Sequence, residues 1–244
     1  MKIISWNCNM AFRKKADIIL KHQPDILIVP ECEHPDKLIF TTETQKPTDS
    51  LWFGQNPNKG LGIFSYCDFR FKVLDVHNDS FKMVIPIAVS NGKFDFTLFA
   101  IWANNPKDPD GHYITQVWKA INHYDTLITN KQTILVGDFN SNTIWDKPRR
   151  EGNHSTVVKL LETKDIYSVY HKHFNQTQGS EQHPTLYLYR QKEKSYHIDY
   201  CFASKDILDH LKSVEVGEYK FWCKYSDHVP VIVTFDAELY NEKL

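Results

Sequence analysis

The sequence predicts an α/β protein in which two packed β-sheets are covered by helices. Three observations predict it. Short runs rich in Ile, Val, Phe and Tyr recur along the whole chain, as strands prefer. Fewer stretches, lying between some of those runs, repeat their apolar residues at helical spacing. The chain has 244 residues, 41% of them hydrophobic and 14% aromatic, enough to bury a sizeable core. It carries no low-complexity segment, short-period repeat or obvious linker, so the reading is of one domain over residues 1–244.

The elements follow in order. The first strand is 2–7, and a helix over 13–22 places Ile18 and Ile19 on its inner face. Strands come next at 25–30, 61–66, 69–76, 83–90 and 94–102, with "TTETQKPTDS", 41–50, as the most loop-like stretch. The clearest helix is 111–129, where Ile114, Val117, Trp118, Ile121, Leu127 and Ile128 repeat at helical spacing and Asp110 can cap the start. A strand at 132–137 precedes a helix over 155–163 carrying Val157, Val158, Leu160 and Leu161. Strands at 185–190, 196–203 and 229–235 complete the set.

Charge and cysteine usage narrow the class. Lys plus Arg is 29 and Asp plus Glu is 30, a net charge of −1. That argues against a generally basic nucleic-acid-binding surface and leaves room for a local basic rim. The 5 cysteines include no CxxC, which disfavours a disulfide scaffold and favours a reducing compartment. Met1 leads almost at once into the strand-like "KIISW", with no secretory pattern, and no apolar run approaches the ~20 residues that span a bilayer. The expectation is a cytoplasmic monomer that engages neither a membrane nor a protein partner.

Chemistry gathers at the strand ends. "LVGDFNSNTIWD", 135–146, runs from a buried strand into Gly137 and then exposes Asp138, Asn140, Ser141 and Asn142. Strand side chains alternate, so Asp138 and Asn140 share one face and Phe139 points the other way. Asn7 and Asn9 end "IISWNCN" in the same pattern, and Glu31 ends "DILIVPECE". "YHIDYCF" puts Asp199 inside an apolar strand, which is costly unless the carboxylate is paired. "YSDHVPVIVTF" places Asp227 and His228 just before a buried strand, and His228 is the natural partner of Asp199, which would raise its pKa. Singly, each has an ordinary reading as a turn, a cap or a solvated loop residue. Jointly, Asn7, Glu31, Asp138, Asn140 and Asp227 are hard oxygen donors that suit Mg²⁺ or Mn²⁺ rather than zinc. A His held by an Asp suits proton transfer or stabilisation of developing charge, and the set fits metal-assisted attack of water on a phosphate ester.

The motifs "WNCN", "ILIVPE", "VGDFN", "YHIDY" and "YSDH" occur in the order of the signatures of the endonuclease/exonuclease/phosphatase (DNase I-like) superfamily, which the chain resembles from Met1 to Val233. GDFN with a later SDH is specific in combination. The resemblance implies a four-layer α/β sandwich, with mixed or antiparallel sheets flanked by helices and the site at one edge of both sheets. It implies Asn7 and Glu31 as Mg²⁺ ligands, and Asp227 as a second ligand or electrostatic partner. It implies Asp138 as the residue that orients or deprotonates water, Asn140 on the phosphate, His228 on the scissile phosphate and Asp199 behind His228. Three departures stand out: Asn9 where repair nucleases often have Asp, Pro30 where Gln is common, and Trp102 where relatives place a phosphate-touching Tyr or His. Asn105, three residues on, offers a polar replacement. Otherwise Trp102 packs under the site.

Basic and aromatic residues mark the rim. In an extended "KFWCKYSDH", 220–228, Lys220, Trp222 and Lys224 share a face that suits a phosphate backbone and a stacked base; a strand with a solvated Lys side reads equally well. "KPRR", 147–150, places Arg149 beside the Asp138 loop, with a plain surface loop as the alternative. Arg13-Lys14-Lys15 reads as a solvated first helical turn. His171 and His173 make a zinc pair only in an extended chain and, without Cys or acidic company, read as a solvated edge. The function expected is a Mg²⁺-dependent (Mn²⁺ as alternative) phosphoesterase acting on DNA or RNA. A phosphatase on a small phosphorylated molecule and a non-catalytic phosphate binder are the other readings.

Overall fold

The computed structural model describes residues 1–39, 43–81, 83–104 and 113–236. In chain order the elements are β1 (Lys2–Ser5), α1 (Ala16–Leu20), β2 (Ile26–Cys32), β3 (Asp49–Asn56), β4 (Lys59–Ser65), β5 (Arg70–Val73), β6 (Val84–Ser90), β7 (Asp95–Trp102), α2 (Ile114–His123), β8 (Thr133–Asp138), α3 (His154–Glu162), β9 (Ile166–Ser168), α4 (Val169–Phe174), β10 (Leu186–Tyr187), β11 (Ser195–Tyr196), β12 (Asp199–Ser204), α5 (Lys205–Leu208), β13 (Leu211–Val216), α6 (Tyr219–Trp222) and β14 (Val231–Phe235).

Two 6-stranded sheets carry the fold, in the orders β13-β14-β1-β2-β4-β3 and β5-β6-β7-β8-β12-β9. Both are mixed: β1 runs parallel to β2 and β7 parallel to β8, and the remaining pairs are antiparallel. The burial pattern explains why. Strands β2 and β8 are continuous apolar runs, because both of their faces are covered. Ile26 and Ile28 of β2 meet Ile134 and Val136 of β8 in a core between the sheets. The alternate residues face outward onto helices. Leu135 and Phe99 pack with Val117 and Ile121 of α2 and Leu161 of α3. Leu27 and Val29 pack with Ile19 of α1 and Trp222 of α6. These three cores make four layers, helix–sheet–sheet–helix, as the resemblance implied. Among the described residues no helix is long and apolar enough to cross a membrane. The cysteines are all free.

Several expected boundaries move. Helix 13–22 becomes a 3₁₀ turn, Phe12–Lys14, followed by α1. Helix 111–129 is α2 over Ile114–His123, with Leu127 and Ile128 in the turns beyond it; Asp110 and Asn105 lie outside the described residues. The strand over 185–190 shrinks to Leu186–Tyr187, and 196–203 yields β12 from Asp199. Strands β3, β9 and β13 were not expected from sequence. β13, "LKSVEV", is an edge strand with Lys212 and Glu215 exposed, and charge on an edge hides the strand pattern while blocking edge-to-edge pairing.

Gly137 is where the fold meets the site. It pairs with Ile101 across β7–β8, has φ +145°, and a Cβ there would lie 1.8 Å from the Ile101 carbonyl oxygen. Only glycine lets the two parallel strands stay in contact one residue before Asp138. Gly137→Ala should therefore destabilise the fold by about 2–3 kcal/mol or more, as overpacking of backbone against backbone does. Urea unfolding reads this directly, and a loss under about 1 kcal/mol would refute it.

Candidate active site

The antiparallel register of β8 and β12 puts Asp138 directly opposite Asp199. Both are buried, Asp138 completely. Two like charges facing each other in a dry sheet require compensation. His228 supplies it: Nδ1 donates to Asp199 Oδ2 at 2.9 Å. Burial alone would lower the imidazole pKa, but the Asp199 carboxylate, as charge and as hydrogen-bond partner, raises it well above the ordinary value, with Asp138 and Asp227 adding to the effect. The Asp138 carboxyl is also raised, by burial first and by Asp199 second, against the opposing pull of His228 and Asn7. One ligand atom from each of Asp138, Asp199 and His228 lies within 4.8 Å of the others, spacing that could hold a metal ion.

Amides complete the Asp138 environment. Asn7 Nδ2 donates to Asp138 Oδ2 at 3.0 Å and to Glu31 Oε1 at 3.4 Å. Asn140 Nδ2 donates to the same Asp138 oxygen at 3.0 Å and to the Ala103 carbonyl at 2.7 Å, and the Asn140 N–H donates to Asp138 Oδ1 at 2.9 Å. Asp138 and Asn140 do come together, but not by strand alternation. β8 ends at Asp138, and Asn140 has φ +47°, a left-handed turn that folds it back. Phe139 points the other way, into the helix-side core.

The pattern expected for Asn7 and Asn9 does not hold. β1 ends at Ser5, Asn9 has φ +50°, and its N–H donates to Asn7 Oδ1 at 3.0 Å. This turn sends the two amides to different partners: Asn7 to Asp138 and Glu31, Asn9 to Asp227 Oδ1 at 3.0 Å. Glu31 is aimed by a bulge between Pro30 and Cys32, where its φ is +63°, which also carries β2 two residues past the expected end. Its carboxylate meets Lys59 Nζ at 3.1 Å, and that ammonium sits 5.5 Å from the Trp102 ring centroid. Trp102 pairs in register with Asp138 but is 6% exposed within the inter-sheet core, so its ring packs and leaves little surface to reach a phosphate.

Rim expectations change more. Trp222 does not lie on an extended face with Lys220 and Lys224. Residues 219–222 form a helical turn, and Trp222 is 3% exposed, its ring 5.1 Å from that of Trp6. The alternation of "KFWCKY" was read with a strand period where the chain coils. Arg149 is exposed at φ +63° and does not line the groove beside Asn140, whereas Lys147 and Arg150 do. Arg13 is not simply solvated: it pairs with the buried Glu33, and Lys15 Nζ donates to the Cys8 carbonyl. His171 and His173 lie on α4, and His171 is not on a solvated edge without acidic company, because its ring is largely buried and Nε2 meets Glu181 Oε1 at 2.9 Å.

Sequence reasoning missed the polar layer behind the site. Ser226 Oγ donates to the Asn7 carbonyl at 2.7 Å and accepts from the His228 N–H at 3.0 Å, tying β1 to the loop before β14. Thr185 Oγ1 accepts from the N–H groups of both Ile198 and Asp199 at 3.0 Å. Ser226 lay inside the "YSDH" motif; Thr185 had no sequence signal. Beyond Asn140 the chain is anchored through buried Asn142, whose Nδ2 donates to Glu181, the His197 carbonyl and Tyr200 Oη. Ser141 Oγ lies 2.8 Å from His154 Nδ1.

No family model and no curated protein matches the sequence. Solved structures do match in fold. The 3′–5′ exonuclease NExo from Neisseria meningitidis superposes with a TM-score of 0.67 at 20% identity, covering 97% of this chain and 100% of that one. The Neisseria NExo D146N variant, described as a 3′ phosphatase bound to a product DNA hairpin, gives 0.66 at 19% identity, covering 97% and 99%. An AP endonuclease from Archaeoglobus fulgidus gives 0.64 at 16% identity, covering 97% and 100%. The chain thus has the DNase I-like fold, a four-layer α/β sandwich.

The anchoring layer makes an acid-sensitivity test. Burial lowers His154 and His197 to about 4. Burial pushes Glu181 up, but hydrogen bonds from His171, Gly179 and Asn142 outweigh it and hold the carboxyl at about 2. A histidine depressed in the folded state is matched by an unfolded chain that binds protons first. Its contribution is therefore complete above the unfolded value of 6.5 and is lost as pH falls toward 4. Glu181 adds a further loss below 4.5. The melting temperature should fall between pH 6.5 and 4 by less than these histidines alone would cause, because the raised Asp138 carboxyl favours the folded state over the same range, and His154→Gln should flatten the profile further. An unchanged pH profile in His154→Gln would overturn this account.

Proposed function

We propose that the protein is a divalent-metal-dependent phosphoesterase that hydrolyses phosphodiester bonds by attack of water, with DNA or RNA as substrate. One observation carries the reading. Asn7, Glu31, Asp138, Asn140, Asp199 and His228 come from distant parts of the chain, yet the hydrogen-bonded group of Asn7, Glu31, Asp138 and Asn140 and the His228–Asp199 pair are set side by side where β12 pairs with β8. The fold-level neighbours named as exonuclease, AP endonuclease and 3′ phosphatase on DNA support the same reaction class. They also keep a phosphatase using the same residues as the second reading.

The donors fit a hard divalent cation, since Glu31, Asp138 and Asp227 are carboxylates and Asn7 an amide. A protonated His228 bonded to Asp199 is a poor ligand, which favours the Glu31 and Asn7 side for the ion, with Asp227 reached through Asn9. Asn7 presents Nδ2 to the carboxylates, so the atom it would offer to an ion is Oδ1, with the lone pair that the Asn9 N–H leaves over. A bound cation would supply positive charge to the phosphate as negative charge builds there. The protein's own residues divide the remaining work. Asp138 orients the attacking water and accepts its proton, with Asn7 and Asn140 holding the carboxylate in place. Both amide hydrogens of Asn140 are committed, to Asp138 Oδ2 and the Ala103 carbonyl, so its part is to hold Asp138 rather than the phosphate. His228, held protonated through Nδ1 by Asp199, offers Nε2–H to the scissile phosphate.

Hydrolysis should require Mg²⁺ or Mn²⁺, and Glu31→Ala should raise the metal concentration needed while lowering the rate. Full turnover in excess chelator excludes the metal. Asp138→Asn and His228→Ala should each lower kcat by ~10²-fold or more. The double variant should lose less than the product of the two, because the residues act on one event. A near-wild-type rate in either single variant removes that residue from the mechanism.

A further inference from the structure

Beside Asn140 the surface opens into a groove of about 880 Å³ that the mechanism above leaves unused. One wall is the first part of α2, with Trp118 and Lys119; the other is the segment after β8, with Trp145, Lys147 and Arg150. Asn140 belongs to both places, because it lines the groove while its side chain holds Asp138 Oδ2 at 3.0 Å. A polymer with one phosphate at Asp138 and His228 has this groove as an adjoining channel.

Trp145 gives the groove its chemistry. An indole is the largest apolar side chain, and this one is left 43% exposed. Its ring leans on Tyr196, centroids 4.8 Å apart. It ends the 3₁₀ turn Thr143–Trp145, which is capped by Asn142 Oδ1 accepting from the Ile144 N–H at 3.1 Å. Asn142 is itself pinned by its three buried acceptors, and Gly179 packs so close behind the turn that a Cβ would lie 2.6 Å from Thr143 Oγ1. The indole is thus held in place before any ligand arrives, which lowers the ordering cost of binding.

The charges around it are arranged for an anion next to a flat ring. Among the described residues, Lys119 and Lys147 line the groove with no carboxylate partner. Arg150 is held by Thr115 Oγ1 at 2.6 Å. Of the two acids in the lining, Asp146 is occupied by the N–H groups of His154 and Ser155 at 2.9 and 3.1 Å, while Glu151 is exposed. An aromatic face flanked by cations suits a base and its phosphates. Stacking on a protein ring also needs a base freed from its neighbours, which selects a single strand over a duplex.

We propose that this groove is a base-binding site in which Trp145 stacks a nucleobase of single-stranded nucleic acid while Lys119 and Lys147 hold the adjoining phosphates. It rests on the phosphoesterase reading and names the strand form that the site takes. The test is equilibrium binding in excess EDTA, where nothing turns over, of a short fluorescent oligothymidylate and of an abasic oligomer with the same phosphates. Trp145→Ala should weaken oligothymidylate binding about 5- to 100-fold, and Trp145→Phe should recover most of the loss. The abasic oligomer should bind wild type and Trp145→Ala equally. Lys147→Gln should lower the log–log salt slope by about 0.7. Equal oligothymidylate binding by wild type and Trp145→Ala overturns the proposal, as does an equal loss on the abasic oligomer. A parallel assay with Mg²⁺ or Mn²⁺ separates the two readings. Hydrolysis with a silent Trp145→Ala sinks the base site alone, and base-dependent binding without hydrolysis of any phosphate ester sinks the phosphoesterase alone.

Discussion

Two carboxylates placed face to face in a dry sheet set the terms for the rest of this structure. The β8–β12 register makes Asp138 and Asp199 cross-strand neighbours, both buried. Burial favours a proton on Asp138, and the charge of Asp199 across the strand pair adds to the pressure. The surrounding polar groups answer that one problem. His228 brings a positive charge to Asp199, and Asn7 and Asn140 bring N–H donors to Asp138. What results is one carboxylate held by two amides beside an imidazole held by a second carboxylate.

The supporting parts are local distortions of otherwise regular strands. Glu31 is turned by a bulge, Asn9 and Asn140 by left-handed turns, and Gly137 allows the close approach that puts β8 against β7. Each distortion sits where a sheet strand ends, because regular alternation cannot bring side chains from three strands to one point. Behind them lies a polar layer of Asn142, His154, His197 and Glu181, which stiffens the chain between Asn140 and Trp145. The near-zero net charge is consistent with a few placed lysines rather than a basic face.

Much of this was legible in the sequence, and particular residues show why. Asp199 stood out because an ionisable group flanked by Ile198 and Tyr200 demands a partner, and His228 was its natural candidate. The apolar runs of β2 and β8 announced strands covered on both faces. Trp222 misled, because alternating Lys and aromatic residues read as a strand in a stretch that coils into α6 and buries the ring against Trp6. The spacing of Asn7 and Asn9 misled in the same way, since a turn replaces the strand.

The sequence by itself determined the layers and the chemical inventory, because burial periodicity and residue type are local properties. Only the tertiary structure decided which donors meet. Asn7 faces Asp138 while Asn9 faces Asp227, Lys59 reaches Glu31 across the β2–β4 pair, and Thr185 supports the Asp199 backbone. It also moved the exposed aromatic from Trp222 to Trp145 and left Arg149 out of the groove that Lys147 and Arg150 line. The physical reason is common to all of these. Contacts between distant segments depend on strand register, bulges and left-handed turns, and a rotation of one residue in any of them exchanges which side chain is buried and which faces the site.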